Sequence, residues 1–196
     1  KAYRNLGDIF KEQNLNDLAV QNYRISIQID PSCFEAARNL GATLQGLTRF
    51  DEALSCFESF LVLNPSCTDA MYYSALILFE IGQYNQAFDF IKKGLSIKPD
   101  DEMFMQIYGK GLASMGEVTP SIAMLKKILG LNANNSNTIT DLIKLSSYDP
   151  ELNPKNLFKD FCEVINYNRN IPEKNEKNPH QEIVALMGFG RAGALF

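Results

Sequence analysis

Apolar and small residues recur along the chain at intervals of three and four, a spacing typical of α-helices that bury one face. The pattern itself repeats every 34 residues. One repeat position holds small residues in four successive units, at Gly7, Gly41, Ala75 and Gly109. An apolar residue follows three positions later, at Phe10, Leu44, Leu78 and Leu112. The period predicts four consecutive repeats, at 1–33, 34–67, 68–101 and 102–135.

Each repeat contains a second run with helical spacing. Its small positions are Ala19, Ala53, Ala87 and Ser121, and larger apolar residues lie four positions later on the same face, at Tyr23, Phe57, Ile91 and Leu125. Proline ends the second run three times, at Pro31, Pro65 and Pro99, because it lacks an amide donor and clashes with the preceding turn. Thr119 and Pro120 instead indicate a helix start, with Thr119 as N-cap and Pro120 as first helical residue. The pattern predicts first helices near 2–13, 34–47, 68–81 and 102–115, and second helices near 17–29, 51–63, 85–97 and 119–130.

Agreement at four positions over four repeats resembles the tetratricopeptide signature, and the chain is identified as similar to that family. The resemblance implies an all-α fold, a right-handed α–α superhelix of four repeats. It also implies a protein that binds a partner rather than catalysing a reaction.

The 34-residue pattern ends after the fourth repeat. Residues 136–147 have the spacing of a ninth helix, and Asn153 and Pro154 mark the start of a tenth. We expect these helices, within 136–168, to cap the array, because a terminal repeat needs a partner for its apolar face. Residues 169–182 have the composition of a linker, and 183–196 have that of a short non-helical tail, the truncated start of a following α/β domain.

The composition and charge of the chain argue against several classes of function. A formal charge of −4 over 196 residues gives no electrostatic reason to bind nucleic acid, and no apolar run is long enough to span a membrane. Four cysteines without CxxC spacing and one histidine give no indication of a metal site. Cys33 and Cys67 share a repeat position at which stacked helices lie roughly 10 Å apart, too far for a disulfide. We therefore expect reduced thiols, a cytoplasmic location and no cofactor in this chain.

A glycine-rich loop follows the apolar run at 183–187. Gly188, Gly190 and Gly193, with Arg191, resemble the phosphosulfate-binding loop of sulfotransferases, some of which carry tetratricopeptide arrays upstream. Two alternatives remain open: the phosphate loop of a dinucleotide or sugar-nucleotide fold, and an ordinary strand and turn of an α/β domain. The apolar surface of this tail also allows self-association.

The family resemblance places a concave groove on the first helices. The residues mapped to it by register are Arg4, Asn5, Asp8, Arg38, Asn39, Tyr72, Tyr73, Phe79, Gln106 and Lys110. Asn5 and Asn39 resemble the asparagine ladder by which transferase-linked arrays hold an extended peptide backbone. Tyr72, Tyr73 and Phe79 either anchor an apolar side chain of a partner or pack against the capping region or a following domain.

These observations predict a protein-interaction scaffold that recruits a polypeptide partner and forms the N-terminal arm of a larger transferase. One alternative is part of a sulfotransferase or a sugar-nucleotide- or dinucleotide-dependent enzyme whose active site lies beyond Phe196. The other is a structural spacer or dimerisation module.

Overall fold

The computed structural model describes residues 1–132 and 135–146, and within these ranges all regular structure is α-helical. Helical hairpins follow one another, each built from a first and a second helix. The first helices are α1 (Ala2–Glu12), α3 (Phe34–Gly46), α5 (Thr68–Glu80) and α7 (Glu102–Ser114). The second helices are α2 (Asn16–Ile29), α4 (Phe50–Leu63), α6 (Tyr84–Ile97) and α8 (Val118–Leu131), and α9 (Ser136–Ser146) stands in the register of a further first helix. The predicted all-α repeat fold is confirmed.

The predicted helix bounds agree with the structure to within one residue, and the predicted role of Pro120 is wrong. The eighth helix begins at Val118, after Glu117 as N-cap, so Pro120 is its third residue. Proline fits there because the first amide groups of a helix have no acceptor within the helix. The predicted tenth helix, the linker and the C-terminal tail lie outside the described residues.

The chain divides into two compact units, Lys1–Phe104 and the residues from Met105 onward. In the first unit each helix packs against the next along the chain, from α1 through α6. In the second unit α8 packs against α9. The small position of the second helices is fully buried in every repeat, at Ala19, Ala53, Ala87 and Ser121.

Serine at this position remains compatible with burial because its hydroxyl has a partner. The Oγ of Ser121 donates a hydrogen bond of 2.7 Å to the carbonyl oxygen of Gly109. A buried hydroxyl without such an acceptor would destabilise the fold. The small residue thus brings the two helices of the fourth hairpin close together and also joins them.

The turn inside each hairpin contains one residue in the left-handed region of backbone conformation. Glycine occupies this position in the third and fourth hairpins, at Gly82 (φ 76°) and Gly116 (φ 82°). Asn14 (φ 60°) and Thr48 (φ 58°) occupy it in the first two. Glycine adopts this conformation without steric cost, whereas a β-branched residue does not. Thr48 is therefore a strained turn residue.

Candidate partner-binding faces of the first helices

Three of the predicted groove residues in the first repeats keep accessible polar groups. Asn5 and Arg38 are exposed and Arg4 is half-buried. An exposed carboxylate, Glu35, lies in the field of both arginines. Its pKa is lowered mainly by a hydrogen bond from its own backbone and another from Cys33, and then by the positive charges of Arg4 and Arg38. The start of this face therefore presents an amide and two guanidinium groups around one acid.

Asp8 joins three helices through one oxygen atom. Its Oδ1 accepts a hydrogen bond of 2.7 Å from the hydroxyl of Tyr23 in α2 and one of 2.8 Å from Nδ2 of Asn39 in α3. The Tyr23 side chain is fully buried. Burial raises the pKa of Tyr23 above its ordinary value, and the hydrogen bond to Asp8 and the charge of Asp8 raise it further. Asp8 therefore holds α1 to both α2 and α3.

The two residues of the predicted asparagine ladder differ in their surroundings. Asn39 is half-buried and donates to Asp8, so part of its hydrogen-bonding capacity serves the fold. Asn5 is exposed and its Oδ1 accepts a long bond of 3.5 Å from Arg4. Asn5 is thus the ladder residue with more capacity for a ligand.

An aromatic cluster covers the next part of the first unit. The ring of Tyr73 stacks on Phe57 with centroids 5.4 Å apart and planes 11° apart. Tyr72 meets Tyr73 edge-on at 5.6 Å and Phe104 edge-on at 5.9 Å. Phe34 extends the cluster, at 6.3 Å from Tyr73. These separations are those of favourable aromatic pairs, so Tyr72 and Tyr73 pack within the protein while each stays half-buried rather than fully covered.

Phe79 belongs to a different set of contacts. It lies near the end of α5, and its ring packs against Phe88 at 5.5 Å and against Tyr84 at 5.9 Å. Both partners lie in α6. Phe79 thus closes its own hairpin, and the structure does not bring it into the ring contacts of Tyr72 and Tyr73 described above.

The second unit contains the remaining predicted groove residues, Gln106 and Lys110, on α7. Gln106 is half-buried. The Nζ of Lys110 lies 3.4 Å from Oδ2 of Asp141 in α9. Beside this ion pair is a cavity of about 340 Å³ between α7, α8 and α9. It is lined by Lys110, Ala113, Ser114, Ser121, Leu125, Asp141, Lys144 and Leu145.

Successive first helices are joined by the same pair of repeat positions in both units. Asp8 bonds to Asn39 in the first unit, and Lys110 pairs with Asp141 in the second; each pair is separated by 31 residues (39 − 8 and 141 − 110). The corresponding pair in the second and third repeats is Ala42 and Tyr73, which cannot form a polar link between side chains. The pair in the third and fourth repeats, Leu76 and Ile107, is apolar. Among the described first helices, this polar link therefore joins α1 to α3 and α7 to α9.

Neither a metal-binding cluster nor a membrane-spanning helix occurs among the described residues. In residues 1–132 and 135–146, no group of three or more His, Cys, Asp and Glu side chains could hold a metal ion. Over the same residues, no helix combines the length and the apolar character needed to cross a membrane. The glycine loop predicted at Gly188, Gly190, Arg191 and Gly193 lies outside the described residues.

The sequence of the second and third hairpins matches a known family. Residues 38–102 match the family described as Tetratricopeptide repeat. These residues carry tetratricopeptide repeats. No curated protein matches the sequence significantly.

Solved structures share the tetratricopeptide fold of this chain at low sequence identity. MamA (residues 41 to the end) from Desulfovibrio magneticus RS-1 is 18% identical, with a TM-score of 0.67 over 88% of this chain and 96% of that one. PilF of Pseudomonas aeruginosa is 15% identical, with a TM-score of 0.66 over 95% and 83%. YrrB, described as a TPR protein with an unusual peptide-binding site, is 16% identical, with a TM-score of 0.60 over 83% and 84%. Identities this low establish the fold and no shared function.

Sequence reasoning missed two residues of the tetratricopeptide array, Asp141 and Lys144. The predicted groove ends at Lys110, although α9 stands in the register of a further first helix. In that register Asp141 occupies the position of Asn5 and Asn39, and Lys144 occupies that of Lys110. Extending the groove positions by one more period identifies both.

Proposed function

We propose that the tetratricopeptide repeats bind a polypeptide partner through the faces of their first helices and act as an interaction scaffold. This proposal rests on one contrast: the carboxylate of Asp8 is hydrogen-bonded within the fold, whereas nearby polar side chains are exposed to solvent. Asp8 is committed to the fold by two hydrogen bonds, whereas Asn5 and Arg38 present donors to solvent from the helices that Asp8 joins. Because these hydrogen bonds hold α1, α2 and α3 together, the helix backbones that carry the donors lose little conformational freedom on binding.

The chemistry of this face suits an extended peptide. A primary amide both donates and accepts, as a peptide backbone does, and guanidinium groups bind carboxylates in two-point contacts. Half-buried Tyr72 adds an aromatic surface in the same unit. YrrB, which has a similar fold, is described as having a peptide-binding site, and repeat arrays of this kind commonly use extended concave surfaces for binding.

The test is a selection of binders from a random twelve-residue peptide library on the immobilised chain, followed by fluorescence anisotropy with the selected peptides. We expect Arg38→Ala and Tyr72→Ala each to weaken binding at least tenfold, a typical effect of removing an interface anchor. Lys92→Ala is the matched control, because Lys92 is an exposed cation on a second helix, α6. Selected peptides that lose affinity with Lys92→Ala and not with the first-helix variants would contradict the proposal.

A second candidate function is self-association, and the exposed face of α1 favours it. Tyr3, Leu6 and Ile9 are 42%, 39% and 49% exposed. The equivalent residues of α3, namely Ala37, Leu40 and Thr43, are 1%, 4% and 3% exposed. The first repeat therefore exposes an apolar face whose equivalent in the second repeat is buried.

Sedimentation over a concentration series tests self-association through this face. A mass that stays at 22.0 kDa excludes it, and a rise in mass that Leu6→Lys abolishes supports it. Self-association through the C-terminal tail, predicted from the sequence, would persist in Leu6→Lys.

We also propose that the array itself is non-catalytic, as is typical of tetratricopeptide repeats, and that it operates in the cytoplasm.

The attachment of the array to a transferase is a separate proposal that depends on the loop at Arg191. Isothermal titration with adenosine 3′,5′-bisphosphate tests it. Binding that Arg191→Ala abolishes would favour a phosphosulfate loop, and no binding would count against it.

A further inference from the structure

The cavity of the second unit combines apolar walls with a charged rim. Ala113, Leu125 and Leu145 form the walls, and Lys110, Asp141 and Lys144 contribute the charged groups. Its volume of about 340 Å³ lies at the lower end of the range for ligand pockets. Such a volume accommodates one large side chain.

The same place is filled by aromatic rings in the first and second repeats. Leu125 and Asp141 occupy the repeat positions of Phe57 and Tyr73. Those two rings stack on each other with centroids 5.4 Å apart. In the first hairpin, the residue equivalent to Leu125 is Tyr23, whose ring is fully buried. The fourth repeat thus lacks the rings found at these positions in the first and second repeats, and the third repeat has Ile91 and Ile107 there.

We propose that this cavity is a specificity pocket for an aromatic side chain of a partner peptide. The proposal rests on the proposed function, because it specifies which side chain the first-helix face of the second unit selects. A phenyl or phenol ring supplied by the partner takes the place that the protein's own rings hold in the first unit. It packs on Leu125 and Leu145 as Tyr73 packs on Phe57.

The charges at the rim define the partner further. Lys110 and Lys144 carry two positive charges and Asp141 one negative charge, so the rim has a net charge of +1 (2 − 1) at neutral pH. Ammonium groups beside a ring contribute favourable cation–π contacts. They also attract carboxylates on either side of the ring, and the occupant is therefore an acidic peptide with one aromatic residue.

The test uses four pools of nine-residue peptides with Phe, Tyr, Leu or Ala at the centre and mixtures of Asp, Glu, Ser and Gly elsewhere. Binding of each fluorescein-labelled pool to the full chain is measured by anisotropy. We expect the Phe and Tyr pools to bind at least tenfold more tightly than the Leu and Ala pools. Equal binding of all four pools overturns the inference.

A variant in which a larger side chain of the protein itself fills the pocket tests the proposal directly. Leu125→Phe introduces the ring found at the equivalent position, Phe57. The fold should accept it because Gly109 faces residue 125 as Gly41 faces Phe57. We expect Leu125→Phe to reduce binding of the Phe pool to the level of the Ala pool, and the control Val62→Phe, at a residue of α4 that is 81% exposed, to leave it within twofold.

Thermal unfolding of both variants confirms that the fold is retained. Should Leu125→Phe fail to fold, Lys144→Gln serves instead, with an expected loss of at least threefold for the acidic Phe pool and an unchanged ratio of Phe to Ala pools. An unchanged affinity in folded Leu125→Phe or in folded Lys144→Gln overturns the pocket. If library peptides still depend on Arg38 and Tyr72, the proposed function survives that result; if neither the pools nor the library yields a binder, both proposals fail.

Discussion

The ring of Phe57 covers the α-carbon of Gly41 and occupies the space that a methyl group at residue 41 would need. The equivalent glycine of the fourth repeat has a looser neighbour. A Cβ at Gly109 would lie 3.4 Å from Cδ2 of Leu125, which is ordinary van der Waals contact. The third repeat has Ala75 opposite Ile91 at the same positions, and both are fully buried. The size of the small residue is thus matched to the side chain that faces it.

Gly41→Ala should therefore destabilise the protein and Gly109→Ala should not. Overpacking against Phe57 costs about 1–3 kcal/mol, whereas alanine in place of a helical glycine contributes about 0.5–1 kcal/mol where space allows. Urea unfolding of the two variants measures the difference. Equal effects on the free energy of unfolding would show that the facing side chain does not decide the outcome.

Removing the Asp8 carboxylate should destabilise the first unit. Asp8→Ala leaves the buried hydroxyl of Tyr23 without its acceptor, at a cost of about 1–3 kcal/mol. In a Tyr23→Phe background the same substitution should cost at least about 1 kcal/mol less, since no buried hydroxyl then lacks a partner. Urea unfolding of the wild type, both single variants and the double variant gives the coupling energy. Strict additivity would show that the hydrogen bond between the two residues contributes nothing.

Relieving the strained turn at Thr48 should stabilise the protein. A left-handed conformation costs a residue with a Cβ about 1–2 kcal/mol, and the flexibility of glycine in the unfolded chain offsets about 0.5–1 kcal/mol of that gain. Thr48→Gly should thus raise the free energy of unfolding by up to about 1 kcal/mol, despite loss of the bond that its hydroxyl donates to the Leu47 carbonyl. Gly82→Thr, at the equivalent position, should lower it. Thermal unfolding checks both, and a destabilised Thr48→Gly variant would contradict the strain argument.

The thiol of Cys56 should react slowly in the folded protein. Burial raises its pKa from 9.0 to about 11, and its Sγ lies 3.7 Å from the carbonyl oxygen of Ala37. Because the thiolate is the reactive form, alkylation of Cys56 at pH 8 should be about 100-fold slower in the folded chain than in urea, tenfold for each pKa unit. Mass spectrometry of the peptide that contains Cys56 measures both rates.

The same pKa shift predicts a loss of stability in alkaline solution. Between pH 9 and pH 11 the unfolded chain releases the Cys56 proton while the folded chain keeps it, so the free energy of unfolding falls as the pH rises through this window. Cys56→Ala should remove that part of the fall. An identical pH dependence in the variant and the wild type would contradict the shift.

Helix positions could be predicted from the sequence because small residues and prolines recur in a fixed register. Pro31, Pro65 and Pro99 follow the ends of α2, α4 and α6, and the helix bounds were correct to one residue. Pro120 was placed two residues too early in its helix, since proline is compatible with any position of the first turn. Local signals of this kind do not depend on the rest of the fold.

The candidate site was harder to predict because its contacts join different repeats. Asp8 and Asn39 were both assigned to a partner, yet they bond to each other across 31 residues. Tyr73 was an open choice between anchor and packing residue, and only the position of Phe57 shows its packing role. Register assigns a residue to a face, but it does not show which neighbouring side chain it contacts.

The match between the small residue and the side chain that faces it also bears on how such an array can diversify. Gene conversion between repeats that exchanged the third hairpin as a whole would carry Ala75 and Ile91 together. A crossover within the turn would place an alanine opposite an aromatic ring, as Ala75 would be opposite Phe57. Recombination should therefore be tolerated between hairpins and selected against inside them, because only an exchange of whole hairpins keeps the small residue with the side chain that faces it.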